Sequence, residues 1–152
     1  MKINVDLAKF SKSIEALIEA VDEGTRLGVV DAISLVEREA KRNFAGQISI
    51  GQARPPGGDR PWAHSEALKR SITRFPTVPM QIGVGQYEQK LAPTMVYARR
   101  VELGFVGRDS LNRLYNQPPY PYMKPAHERA LPQLLGIFKS HWSRAIRGNQ
   151  HG

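Results

Sequence analysis

Apolar and polar positions alternate with a helical period along the first forty residues. Asp6 suits an N-cap, and apolar side chains then recur three or four positions apart, at Leu7, Phe10, Ile14, Leu17, Ile18 and Val21. Residues 22–25 interrupt this stripe, and Gly24 suits a hinge or a C-cap. A second stripe follows at Val29, Ile33, Val36, Ala40 and Phe44. The pattern predicts two amphipathic helices whose apolar stripes both face the core.

Turn-forming residues dominate positions 45–63. This segment carries seven glycines and prolines, at Gly46, Gly51, Pro55, Pro56, Gly57, Gly58 and Pro61. Such a composition excludes a long helix or a central strand, and loops of this length are usually functional or disordered. We therefore expect an extended loop, with Trp62 anchoring its end or inserting into a neighbouring subunit.

The middle of the chain changes to a strand-like pattern. Residues 65–68 suit a short helical turn, and residues 71–85 alternate as two strands with Pro76 and Pro79 at a turn or an edge. Residues 95–103 fit either a strand or a short helix. The glycine-rich segment that follows, 104–109, predicts a turn or loop.

A last helix is predicted near the C-terminus. Pro125 suits its first turn, and Pro132 kinks or delays it. Its apolar stripe runs through Ala130, Leu131, Leu134, Leu135, Phe138, Trp142 and Ile146. Residues 148–152 are expected to form a frayed tail.

The predicted elements define the fold class. We expect an α+β domain over residues 1–152, in which two N-terminal helices and a C-terminal helix pack on a small antiparallel sheet. A chain of 152 residues favours one such domain with a modest core.

The net charge of +8 is concentrated after the first helices. Residues 1–45 carry −1, whereas residues 46–77, 78–123 and 124–152 carry +3, +2 and +4. A basic surface attracts polyanions such as nucleic acid, although it also suits a solubilising role or an acidic protein partner. Candidate DNA-facing residues are Arg54, Arg60, Lys69, Arg70 and Arg74.

Motifs for catalysis, cofactors and metals are missing from the sequence. The chain has no cysteine, no GxSxG elbow and no GxxxxGK[ST] phosphate loop. Metal-ligand spacing is absent from its histidines, which are His64, His127, His141 and His151. We therefore expect a non-enzyme without a cofactor or metal. The lack of a signal peptide or a membrane-spanning stretch leads us to expect a soluble intracellular product.

Prolines and tyrosines cluster just before the last helix, in the segment PPYPY at 118–122. Prolines lose little entropy on ordering, and tyrosines bury large areas while keeping a hydroxyl for hydrogen bonding. This segment is typical of a contact surface for another protein. The alternative is that it packs the start of the last helix against the protein's own sheet.

Three segments in this order resemble one known family. They are ALKRSI at 67–72, YARRVELG at 97–104 and PPYPYMKPA at 118–126. With the flanking helices, they resemble the gene-ten-like minor tail component of tailed bacteriophages, also described as a tail-completion or neck protein. The resemblance spans most of the chain.

The resemblance implies a virion structural protein that completes the tail and joins it to the head. It implies a homo-oligomeric ring such as a hexamer, with other phage neck and tail proteins as partners. The expected location is the virion neck, after assembly in the host cytoplasm, with non-specific contact to genomic DNA in the channel and no membrane. Candidate interface residues are Trp62, Tyr97, Arg99, Arg100, Glu102, Pro118, Pro119, Tyr120, Pro121 and Tyr122.

Two points stay open at this level. Glu102 suits an ion pair with a basic residue of its own fold or of the adjacent subunit, where a desolvated pair would fix the register. The function itself has alternatives, which are a small basic nucleic-acid-binding module without sequence preference and a phage enzyme without a familiar motif.

Overall fold

The computed structural model describes residues 6–44, 66–108 and 110–149. The chain mixes helices with small antiparallel sheets, as the sequence predicts. Its elements in order are α1 (Leu7–Arg42), α2 (Ala67–Ser71), β1 (Ile72–Gly83), β2 (Gln86–Pro93), α3 (Ala98–Leu103), β3 (Phe105–Arg108), β4 (Leu114–Gln117) and α4 (Met123–Asn149). The glycine- and proline-rich segment 45–63 lies outside the described residues.

Helix α1 is one continuous helix of 36 residues, so the prediction of two helices was wrong. The Asp6 carboxylate caps it by accepting hydrogen bonds from the amides of Ala8 and Lys9, each at 3.1 Å. Gly24 and Gly28 lie inside α1 and are buried against α4. Here glycine allows two helices to approach closely and does not end one.

The contact at Gly28 is especially tight. A Cβ built on Gly28 would lie 2.5 Å from Cδ1 of Phe138, whereas one on Gly24 would lie 3.5 Å from the carbonyl carbon of His141. Next to these contacts, the Trp142 indole donates a hydrogen bond to Thr25 Oγ1 at 3.0 Å. The helices run antiparallel, because residues later in α1 meet residues earlier in α4.

The polar ties along this pair give the same antiparallel register. His141 Nε2 lies 2.8 Å from the Asp31 carboxylate. Nearer the start of α4, Arg129 Nε lies 3.2 Å from the Glu39 carboxylate, and the Arg129 guanidinium also donates to the Asn43 side chain. These side-chain contacts between facing helices therefore fix their axial alignment.

Helix α1 extends beyond the end of α4. Phe138 lies opposite Gly28, and the eleven residues from Phe138 to Asn149 reach back along α1 only as far as Leu17. Residues 7–16 of α1, here called the N-terminal arm, therefore project by about 15 Å with no described helix opposite them. All of them are exposed.

The arm corrects the prediction that the first apolar stripe faces the core. Leu7, Phe10, Ile14 and Ile18 are 74%, 59%, 41% and 56% exposed. The second stripe does meet the core, since Ala40 is fully buried and Val36 and Phe44 pack around it.

Strand β1 is also continuous, where the sequence predicted two strands. It pairs with β2 as an antiparallel hairpin, from Ile72 opposite Pro93 to Gly83 opposite Gln86. The ladder of hydrogen bonds between the strands is irregular between Phe75 and Met80. Pro76 and Pro79 therefore lie where strand hydrogen bonds are already interrupted. Gln89 Nε2 fills part of that gap by donating to the carbonyls of Pro76 and Thr77 at 3.0 Å.

The hairpin packs along α1 through two acidic residues of that helix. Near the hairpin tip, the Asp22 carboxylate accepts hydrogen bonds from the Gly85 amide, at 3.1 Å, and from the Tyr87 hydroxyl. Near the hairpin base, Glu37 binds Arg74 at 2.7 Å. Asp22, which we expected at a helix boundary, therefore holds the sheet against the middle of α1.

The segment between the hairpin and α4 forms α3 followed by a second small sheet. Residues 98–103 are helical, and residues 105–108, which we predicted to be a turn or loop, form β3 and pair with β4. Gly104 joins α3 to β3 with φ of 76°. A Cβ there would lie 2.9 Å from the Gln117 carbonyl oxygen and the Pro119 nitrogen, so only glycine lets the proline-rich segment approach α3.

Tyr122 lies at the centre of the core. It is fully buried in a cluster with Ala40, Leu68, Ile72, Ala98 and Ala126. Apart from Tyr122, these residues come from α1, α2, β1, α3 and α4, so the core joins these five elements at one end of the helix pair.

Helix α4 passes through Pro132 without interruption and includes Gly148 and Asn149, which we expected in the frayed tail. Residues 150–152 lie outside the described residues. Within the described ranges, none of the helices has the length and apolar content needed to cross a membrane.

The close helix contact predicts opposite effects for alanine at two glycines. Gly28→Ala should lower the free energy of unfolding by about 1–3 kcal/mol, because the new Cβ collides with the Phe138 ring. Gly136→Ala, at an open helical position, should raise it by about 0.5–1 kcal/mol through helix propensity. Urea unfolding followed by circular dichroism measures both, and equal stabilisation by the two substitutions would contradict the close packing.

Candidate interaction surfaces

The carboxylate of Glu102 caps the N-terminus of α4. Its Oε2 accepts hydrogen bonds from the amides of Tyr122 at 2.8 Å and Met123 at 3.0 Å, and its Oε1 accepts one from Lys124 at 2.9 Å. The next residue, Pro125, has no amide hydrogen. One side chain on α3 therefore satisfies all the amides that the first turn of α4 leaves without a helical partner.

This role differs from the ion pair that the sequence suggested for Glu102. The carboxylate binds backbone amides of its own chain, and the partial positive charge of a helix N-terminus stabilises it there. A signal was present in the sequence, because Tyr122 at the N-cap offers no side-chain acceptor of the usual kind. The missing local cap required an acceptor from elsewhere, but the position of α3 was needed to identify it.

The proline–tyrosine segment divides between the core and the surface. Tyr122, which we assigned to an interface, is fully buried, and its ring lies 5.1 Å from that of Phe44. Its carbonyl accepts a hydrogen bond from Asn43 Nδ2 at 2.6 Å, and the Tyr120 amide donates to the Val101 carbonyl at 2.8 Å. For Tyr122, the alternative of packing the start of the last helix is therefore correct.

Burial also affects the Tyr122 hydroxyl. The surrounding core raises the pKa of this phenol well above its usual value, and the charge of Glu102 acts in the same direction. Among the described residues the hydroxyl has no hydrogen-bond partner. The residue thus contributes its ring to packing while its phenol stays neutral.

The exposed part of this region surrounds α3. Val96, Tyr97 and Leu103 are 97%, 41% and 63% exposed and form what we call the α3 patch. Pro118 and Pro119 are also exposed, whereas Tyr120 and Pro121 are half-buried. Arg99 is exposed, and Arg100 is exposed with its guanidinium 4.3 Å from the centre of the Phe105 ring. Apart from Tyr122 and Glu102, the described interface candidates are therefore exposed or half-buried in the segments around α3.

A groove of about 580 Å³ lies between α1 and the base of the hairpin. We call it the basic groove, because the charged residues described along it are five cations and one carboxylate. They are Arg38, Lys41, Arg42, Lys69, Arg74 and Glu37.

Glu37 connects the two walls of the basic groove. Its carboxylate binds Lys41 Nζ at 2.5 Å and Arg74 Nε at 2.7 Å. Burial opposes ionisation of this carboxyl, but the hydrogen bonds from Lys41 and Arg74 outweigh it and hold the pKa of Glu37 below its usual value. Glu37 therefore stays ionised and orients one cation from each wall.

The candidate DNA-facing residues are only partly brought together. Lys69 and Arg74 line the basic groove, whereas Arg70 lies outside it and pairs with Glu66 at 3.4 Å. Arg54 and Arg60, like the interface candidate Trp62, lie outside the described residues. The sequence did not single out the three cations of α1, because charges at such spacing are typical of a solvated helix face.

In the part of the chain that the structure describes, no three histidine or acidic side chains are grouped to hold a metal ion. Comparison of the chain with protein-family models, with curated proteins and with solved structures found no match.

The cap on α4 predicts a measurable cost of removing Glu102. Glu102→Ala should lower the free energy of unfolding by about 1–3 kcal/mol, because it leaves three amides without their charged acceptor. Glu102→Gln keeps one oxygen acceptor and should lose about half as much. Glu128→Ala, at an exposed position of α4, is the matched control and should change stability by less than about 0.5 kcal/mol. Equal losses for Glu102→Ala and Glu128→Ala in urea unfolding would exclude the capping role.

The lowered pKa of Glu37 predicts a pH-dependent contribution to stability. Because the folded pKa lies below the ordinary value of 4.5, the contribution is present above pH 4.5 and is lost as pH falls through the folded pKa. Wild type should therefore exceed Glu37→Gln by about 1–2 kcal/mol at neutral pH, and the difference should shrink in acid. Urea unfolding of both proteins at several pH values measures this, and a difference that is constant with pH would contradict it.

Proposed function

We propose that this protein is a structural component of a tailed phage virion that completes the tail and joins it to the head as an oligomeric ring. The observation that carries the proposal is the N-terminal arm, whose apolar face has no described partner in its own chain. The order of motifs that resembles phage neck proteins supports the same role.

The arm continues a seam that is already used for packing. Leu7, Phe10 and Ile14 follow the three- and four-residue spacing that leads through Leu17 and Val21 to Gly24 and Gly28, where α4 covers the same face. Burying a large apolar side chain contributes about 1.5–3 kcal/mol, so these exposed residues offer substantial association energy. Since α4 ends near Leu17, that energy is available only to another molecule or segment.

A second copy of the chain offers a distinct apolar surface at the other end. The α3 patch lies where α3 meets the core beside Ala40, which is about 40 Å along α1 from Ile14. Contact between two different surfaces of identical copies is heterologous, and it closes into a ring when the rotation between copies divides a full turn. An arm that docks on the α3 patch of its neighbour would make such a contact.

The ring predicts that polar substitutions on the arm change the mass of the particle. By light scattering, the wild type should be a multiple of the 17.0 kDa chain at both low and high salt, because an apolar contact resists screening. Phe10→Glu with Ile14→Glu should give a monomer. Ala8→Glu with Ala16→Glu adds the same charge on the outer face of the arm and should leave the mass unchanged.

Two outcomes would count against this function. Equal masses for wild type and the Phe10/Ile14 variant would show that the arm does not mediate assembly. A monomeric wild type that binds DNA tightly at low salt and releases it at high salt would favour the alternative, a small nucleic-acid-binding module without sequence preference.

A further inference from the structure

We infer that the basic groove binds the phosphate backbone of nucleic acid without sequence preference. The inference does not depend on the ring, because all the side chains involved belong to one chain. It rests on how α1 and the hairpin base bring cations together from distant parts of the sequence.

The two walls of the groove present cations toward a shared space. Arg38, Lys41 and Arg42 are spaced three and four residues apart on α1, so their side chains lie on one side of the helix. Lys69 of α2 and Arg74 of β1 form the opposite wall. Arg42 and Lys69 are far apart in the sequence, but the fold brings them to the same groove, where the five cations form a cluster of positive charge.

Glu37 preorganises this cluster without cancelling it. It holds Lys41 and Arg74 at 2.5 and 2.7 Å, and its side chain is only 17% exposed. Ordering two long side chains in advance reduces the entropy that a ligand must offset on binding. The other cations of the groove remain on its accessible rim.

The rim cations make weak ion pairs that a ligand can replace. Arg42 lies 3.0 Å from Glu39, and Lys69 lies 3.8 Å from Glu66. The side chains of Arg38 and Arg42 are 65% and 69% exposed. The Lys69–Glu66 pair is partly exposed on both sides and contributes about 0–1 kcal/mol. The Glu39 carboxylate is only 12% exposed, but it keeps its ion pair with Arg129 when Arg42 turns to a phosphate.

The chemistry of the lining favours phosphate over a protein partner. The centres of protein–protein interfaces are depleted in charged residues and in lysine, whereas six of the eight described residues that line this groove are charged. Three of its five cations are arginines, whose planar guanidinium matches phosphate oxygens in a bidentate arrangement. Positioning on phosphates carries no sequence information, which accounts for the predicted lack of sequence preference.

The test is binding of a fluorescein-labelled DNA duplex, followed by anisotropy over a series of salt concentrations. Arg38→Ala with Arg42→Ala should weaken binding at low salt by about tenfold or more. It should also reduce the slope of log K against log salt by about 1.8, which corresponds to two phosphate contacts. On the opposite wall, Lys69→Ala alone should reduce the slope by about 0.9.

The matched control removes the same charge elsewhere. Arg144 and Arg147 are exposed on α4, outside the groove, and Arg144→Ala with Arg147→Ala should weaken binding by less than about threefold. Circular dichroism and urea unfolding check that every variant is folded. Because Arg38 and Arg42 are exposed, we expect their double variant to keep its fold.

Three outcomes would overturn the inference. They are no binding by the wild type at low salt, equal losses for the groove and α4 variants, and equally tight groove-dependent binding of poly-glutamate. The last would assign the groove to an acidic protein. Light scattering on the same samples separates this result from the proposed ring, since a ring that does not bind DNA leaves the joining role intact.

Discussion

The carboxylate of Glu102 fixes the start of α4, and the rest of the structure depends on where that helix begins. By binding three consecutive amides from twenty residues earlier in the chain, it sets both the position and the direction of the first turn. Tyr122 then enters the core beside Ala40 and Ile72. From that point α4 follows α1 in the register that brings Phe138 to Gly28. The cap therefore links the segment around α3 to the long helix pair through a few short hydrogen bonds.

Local patterns predicted the helices near both termini and the extended middle of the chain, but neither the second small sheet nor how the elements meet. The apolar spacing from Leu7 onward and the Asp6 cap correctly indicated a helix beginning at residue 7. Gly24 was misinterpreted because a glycine that ends a helix and a glycine that admits a neighbouring helix have the same local signature. The partner that distinguishes them, the segment around His141, lies more than a hundred residues away. The continuity of β1 through Pro76 and Pro79 likewise depends on the partner strand, whose ladder is interrupted there.

The candidate surfaces were predictable to a similar extent. The exposure of Tyr97, Arg99 and Pro118 agrees with their predicted place on a contact surface. The burial of Tyr122, in contrast, depends on Phe44 and Asn43, which follow α1 in the chain. The three cations of α1 have no distinctive spacing, and they become one wall of the basic groove only because the hairpin base brings Arg74 against Glu37. In both cases the outcome depends on contacts between residues far apart in the sequence, and the spacing of apolar and polar residues does not reveal such contacts.

The unbroken helix α1 has a mechanical consequence. Because α1 is one helix of 36 residues, the arm and the residues of α1 that contact the core move together. The close contact at Gly28 is the fulcrum about which the helix would tilt. Leu7 lies about 31 Å from that fulcrum, so a tilt of about 10° there would move the tip by about 5 Å. A single methyl group added at the helix crossing could thus change the curvature of an assembly whose subunits touch only through the arm.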